Sequence, residues 1–152
     1  MQRICLFPGT FDPITKGHVD IIERAIPLFD KIIIGIGINA SKQPMFSVEQ
    51  RCNWVNEIFK NDARVEARGY IGLTVDYCHE IGANFILRGI RYVSDFEYEK
   101  AIADMNRMLA PDIETIYLTC SPMYSTISST LVRDVIRNNG NISLFVPDIV
   151  KI

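Results

Sequence analysis

Five short apolar runs rich in β-branched residues, each followed by a stretch of helical periodicity, constrain this chain more than any other feature. The runs fall at 3–7, 31–38, 64–67, 84–87 and 115–118. None shows clean alternation of apolar and polar positions, the pattern of strands covered on both faces. Between them, Val19, Ile22, Ile26 and Phe29 recur at steps of three and four residues. Val48, Cys52, Val55 and Phe59 do the same after Ser47, a candidate N-cap. A third helical stretch covers 73–81 and stops at Gly82; a fourth runs from about 95 to 109, with Phe96, Ala103 and Met105 among its apolar positions, and ends before Pro111. A fifth begins near Ser128 and ends at Gly140. Pro27 lies inside the first pattern and removes a helical hydrogen bond, so that helix is predicted to kink or end there. Strands alternating with helices imply right-handed βαβ crossovers. The fold class is α/β, an open parallel five-stranded sheet with helices on both faces.

A chain of 152 residues has the size of one domain, here 1–152. Its 48% hydrophobic and 22% charged content is ordinary globular usage and argues against disorder. A net charge of -2 and a pI near 5.7 give no overall basic field, which speaks against nucleic acid or an anionic membrane as partner. Any phosphate site must be local. Cys5, Cys52, Cys78 and Cys120 form neither a CxxC pair nor a zinc-type cluster, so reduced thiols and no protein-held metal are expected. The N-terminal stretch MQRICLFPGTFDP lacks the apolar region of a signal peptide, and no run approaches the length of a membrane span. A cytoplasmic location is expected.

Ligands of open parallel sheets bind beyond the carboxyl ends of the strands. The segments to inspect are therefore 8–18, 39–46, 69–74, 88–99 and 119–130. In the first, Gly9 lets backbone approach a ligand and Thr10 places a hydroxyl there. Gly17 and His18 open a helix whose unpaired N–H groups and positive dipole end favour an anion. Asp12 and Pro13 read as turn-shaping residues. In the second, Lys42 is an isolated cation beside the first loop, either a solvated lysine or an anion ligand. Gly35-Ile36-Gly37-Ile38-Asn39-Ala40 matches a dinucleotide fingerprint in letters only, because no helix opens after the glycines. In the fourth, Arg88 and Arg91 flank Gly89 as a phosphate clamp, the alternative being ion pairs with Asp95 or Glu97. In the fifth, 124–130 carries six hydroxyl groups at a helix start, where N-capping accounts for one of them. Arg133 and Arg137, on the helix that follows, read as surface charges.

GTFDPITKGH followed by ISSTLVR resembles the adenylyl- and cytidylyltransferase superfamily, Thr15-Lys16-Gly17-His18 being the TxGH form of its first motif. The intervening SKQPMF and RGIRYVSDFEYE resemble one family within it, phosphopantetheine adenylyltransferase, and the likeness covers almost the whole chain. This resemblance implies a Rossmann-like fold, a homohexamer and magnesium. It also implies transfer of AMP from ATP to 4'-phosphopantetheine, giving dephospho-CoA and pyrophosphate in coenzyme A biosynthesis. Carried over by residue, it makes Thr10, His18 and Lys42 catalytic. Thr10, Phe11, His18, Gly89, Ile90, Arg91, Glu99, Tyr124, Ser125, Thr126, Ile127, Ser128, Ser129 and Thr130 would bind ATP. Thr10, Lys42, Thr74 and Arg88 would bind the acceptor. Position 74 is Thr where the family often has an aliphatic residue, and position 126 is Thr where an aromatic residue is common.

The chemistry expected needs no protein nucleophile, because an ionised acceptor phosphate attacks the α-phosphorus of ATP in line. Positioning and charge stabilisation then supply the catalysis, with magnesium arriving on the triphosphate. Nicotinate-mononucleotide adenylyltransferase and glycerol-phosphate cytidylyltransferase share both end motifs and stand as enzymatic alternatives. A nucleotide sensor without turnover stands outside enzymes.

Overall fold

The computed structural model describes all of residues 1–152. Five strands, β1 (Ile4–Gly9), β2 (Lys31–Gly37), β3 (Val65–Tyr70), β4 (Phe85–Ile90) and β5 (Glu114–Thr119), form one sheet in the order β3-β2-β1-β4-β5. Every neighbouring pair is parallel. Five helices connect or follow them: α1 (Lys16–Ala25), α2 (Val48–Ile58), α3 (Thr74–Ile81), α4 (Val93–Leu109) and α5 (Ser129–Arg137). The α/β class and the strand count agree with the sequence pattern.

Strand pleating divides the core in two. Cys5 and Phe7 of β1, with Ile32, Ile34 and Ile36 of β2, point to one face and meet Ile22 of α1, Val55 of α2 and Val132 of α5. Leu6 and Ile33 point to the other and meet Val75 and Cys78 of α3 together with Ala110 and Ile113 beyond α4. Both faces are thus buried, which is why the runs read as continuous rather than alternating.

Several boundaries move. β4 continues through Arg88 and Gly89 to Ile90, and β3 continues to Tyr70, because both extensions gain ladder partners in β5 and β2. Arg88 therefore projects from a strand end and not from a loop. α1 stops at Ala25, and a 3-10 turn at Ile26–Leu28 accommodates Pro27. α3 ends where Gly82 takes φ 70°, a left-handed conformation that glycine adopts without cost. α4 starts at Val93, two residues earlier than expected, because Asp95 accepts from the Tyr92 and Arg91 N–H groups and caps that end. α5 stops at Arg137, short of Gly140.

On α4 the apolar positions Phe96 and Met105 are exposed, and Glu99 is that helix's one buried residue. The connection topology nevertheless leaves a crevice where β1 and β4 lie side by side and the chain departs in opposite directions, the switch point at which such sheets bind ligands.

Candidate active site

Two buried charges fix the loops at this switch point. The Asp12 carboxylate, 2% exposed, accepts hydrogen bonds from the N–H groups of Met45 (2.8 Å) and Phe46 (2.9 Å). Arg51 of α2, also 2% exposed, donates to the carbonyls of Phe46 (3.0 Å) and Thr10 (2.7 Å). The loop after β1 and the loop after β2 are so tied to each other, and Lys42 is carried to the side of Thr10. Asp12 is structural, as its sequence context suggests. Arg51 escaped the sequence reading, since an arginine on an amphipathic helix gives no sign of burial.

His18 sits in the first turn of α1, with Thr15 as N-cap. The Thr15 hydroxyl accepts from the His18 N–H (3.3 Å), and the Thr15 N–H donates to His18 Nδ1 (3.0 Å). An Nδ1 that accepts a backbone proton cannot carry its own in the neutral ring, so the tautomer is fixed with hydrogen on Nε2. The ring packs edge-on against Phe11 at 4.8 Å between centroids. Phe11 in turn takes φ 48°, a left-handed conformation unusual for a bulky residue and of the kind that clusters at functional sites. Burial, with the nearby Arg91 and Arg88 cations, lowers the His18 pKa from its ordinary value to about 4. At neutral pH the side chain is therefore an uncharged Nε2–H donor.

The arginines are positioned by the protein before any ligand arrives. Arg88 donates from Nε to one oxygen of Glu99 (2.7 Å) and from Nη2 to the other (2.5 Å), and it also bonds the carbonyl of Pro8. Three of its five N–H donors are used, leaving two. Its partner is Glu99, neither Asp95 nor Glu97. Arg91 stands 3.6 Å from Asp95 and donates to the Ile127 carbonyl (3.2 Å), so the ion pair anticipated as the alternative to a clamp exists for this residue. Lys42 lines the same cleft as Arg88 and Arg91.

These groups line a cleft of about 840 Å³ that also contains Thr10, Phe11, His18, Gly89 and Ile127 to Thr130. Ser128 caps α5 through its hydroxyl, and Ser129 Oγ donates to the Pro13 carbonyl (2.8 Å), so both hydroxyls serve the fold. The N–H groups of Ser129 and Thr130, first in the helix, are left to face an anion. A second cleft of about 600 Å³ contains Thr74 and shares Thr10, Lys42, Arg88 and Glu99 with the first. Ile90, Tyr124, Ser125 and Thr126 line neither. Arg133 and Arg137 do line the larger cleft, where the sequence suggested surface charge. Their spacing of four from each other, and of Arg133 from Ser129, puts all three on one face of α5, and that signal was available.

No group of three or more His, Cys, Asp or Glu side chains is placed to hold a metal ion. Asp12, Asp95 and Glu99 are each engaged by backbone N–H groups or arginine.

A family model described as cytidylyltransferase-like matches residues 6–135. A protein of Flavobacterium psychrophilum named phosphopantetheine adenylyltransferase is 55% identical over 151 residues, covering 99% of each chain. One of the same name from Flavobacterium johnsoniae is 51% identical with the same coverage. Among solved structures, a bifunctional NMN adenylyltransferase/ADP ribose pyrophosphatase from Francisella tularensis aligns over 96% of this chain and 45% of that one. Its TM-score is 0.73 at 19% identity, a likeness of fold.

The His18 environment makes a signed prediction. A folded pKa near 4, below the ordinary 6.5, means the unfolded chain binds the extra proton between those values. Relative to His18→Gln, the native chain should gain stability as pH rises from about 4 to 6.5 and show no further difference above. Nitrogen-15 NMR should show a neutral ring with hydrogen on Nε2 at pH 7. An imidazolium at pH 7, or hydrogen on Nδ1, would contradict the site's electrostatics.

Proposed function

The chain belongs to the cytidylyltransferase-like family and, within it, to the phosphopantetheine adenylyltransferases, and from that premise we propose how its two clefts divide the reaction. The enzyme transfers AMP from ATP to 4'-phosphopantetheine, giving dephospho-CoA and pyrophosphate, a step of coenzyme A biosynthesis. ATP occupies the larger cleft and the acceptor's arm the smaller. The observation that carries this division is their overlap at Thr10, Lys42 and Arg88, where two phosphates can meet.

The acceptor phosphate, held by Lys42 and the two free donors of Arg88, attacks the α-phosphorus in line, and pyrophosphate leaves. The His18 Nε2–H and the Thr10 hydroxyl bond the α-phosphate oxygens, more strongly as charge develops on them. The N–H groups of Ser129 and Thr130, with Arg91, Arg133 and Arg137, face the departing pyrophosphate. Magnesium, if delivered with ATP, would be held by the triphosphate oxygens and would neutralise their charge.

Assembly as a homohexamer is our reading of the family resemblance; on this chain Tyr98, Ile102, Met105 and Leu109 of α4 form an exposed apolar stripe at steps of three and four residues, which supports self-association without giving the number of copies. No helix is long and apolar enough to cross a membrane.

Pyrophosphate release from ATP and magnesium should occur with 4'-phosphopantetheine and not with nicotinate mononucleotide or without acceptor. Activity with the second would overturn the acceptor assignment. His18→Ala should lose about 100- to 1000-fold in kcat, the effect of deleting one oxyanion donor, with little change in KM for ATP. Undiminished turnover would remove His18 from the reaction centre. Sedimentation should give six times the 17.3 kDa chain mass, and a monomer at micromolar concentration would exclude the hexamer.

A further inference from the structure

The glycines of the misleading fingerprint, Gly35 and Gly37, have a structural use at the smaller cleft. A Cβ on Gly35 would lie 3.0 Å from the ring of Tyr70 and 2.7 Å from Leu6, tighter than packed atoms allow, whereas at Gly37 it would approach that ring only to 3.9 Å. Tyr70, the last residue of β3, pairs in register with Gly37, and its ring leans back across β2 over this side-chain-free track. Tyr77 of α3 stacks on it at 4.6 Å and 8° between planes. Held between a strand and a helix, the ring has one place for its hydroxyl, 3.0 Å from Thr74 Oγ1. Both residues line the acceptor cleft.

We propose that the Tyr70–Thr74 hydroxyl pair is a specificity-determining contact that recognises an amide in the arm of the acceptor. This rests on the assignment of the smaller cleft to 4'-phosphopantetheine, whose arm contains two secondary amides. Of the pair's two O–H groups one is used internally, so one proton and several lone pairs remain. That complement matches a single amide, which offers one carbonyl to accept and one N–H to donate. A partly buried polar pair of this kind favours a ligand that bonds it and discriminates against one that leaves it unpaired. It also gives Thr a reason to stand at 74, where an aliphatic residue could only pack.

The test is steady-state pyrophosphate release at saturating ATP with wild type, Tyr70→Phe, Thr74→Val, the double variant and Thr74→Ser. Acceptors are 4'-phosphopantetheine and an analogue of equal length whose arm amides are replaced by methylene groups. KM for 4'-phosphopantetheine should rise roughly 3- to 10-fold in Tyr70→Phe and Thr74→Val. The double variant should be no worse than the poorer single one, because the hydroxyls act as a unit. Thr74→Ser should restore the wild-type value, KM for ATP should stay constant, and on the analogue all chains should match. An unchanged KM in Tyr70→Phe, or an equal rise on both acceptors, would overturn the proposal, and a lowered Tm with unchanged KM would do the same. Wild type inert toward 4'-phosphopantetheine would bring down the functional reading itself, an outcome separate from these.

Discussion

The active-site arrangement depends on a buried polar lock between two loops that lie far apart in sequence. Asp12 receives two N–H groups from the loop after β2, and Arg51 returns three hydrogen bonds to carbonyls of Thr10, Phe46 and Ser47. Buried charges persist only when their hydrogen-bonding capacity is met, and here the partners are backbone groups of the loops themselves. Arg51 stays protonated although burial lowers its pKa, with Asp12 opposing that shift. The consequence reaches the chemistry directly. A loop lysine, Lys42, lines both clefts together with Thr10, and the two clefts acquire a common boundary.

A second constraint is electrostatic. A chain of net charge -2 must gather two highly charged anions, and it does so with local cations whose geometry the fold sets in advance. Glu99 and the Pro8 carbonyl orient Arg88; Asp95 and the Ile127 carbonyl orient Arg91. Such preorganisation reduces the reorganisation required at the moment of reaction. Burial, reinforced by the same arginines, keeps His18 uncharged, and Thr15 fixes which nitrogen bears its proton. The imidazole is thereby prepared as a directed donor, while positive charge comes from groups that need not titrate.

Much of this was legible in the sequence. The strand-helix alternation gave the α/β class, because buried parallel strands leave continuous apolar runs, and the segments after β1 and β4 line one cleft at the switch point between those strands. What escaped has physical causes. Arg88 and Gly89 look like a loop until β5 provides ladder partners, a nonlocal fact. Arg51 is invisible because burial of a charge depends on carbonyls 5 and 41 residues away. The exposure of Phe96 and Met105 was not legible, because helical periodicity reports an apolar face without reporting what covers it. The six hydroxyls at 124–130 proved unequal. Ser128 and Ser129 serve the helix start and the turn at Pro13, and Tyr124, Ser125 and Thr126 fall outside both clefts. Arg133 and Arg137 were discounted although their spacing from Ser129 placed them on its face.

The central claim is that the two substrates meet directly at Thr10 and His18, with no adenylyl group passing through the protein. The stereochemical course at the α-phosphorus tests it most directly, using ATP made chiral at that centre by sulfur substitution. A single in-line displacement predicts dephospho-CoA with inverted configuration. Retention would mean two displacements and a covalent adenylyl-enzyme, and would contradict the account.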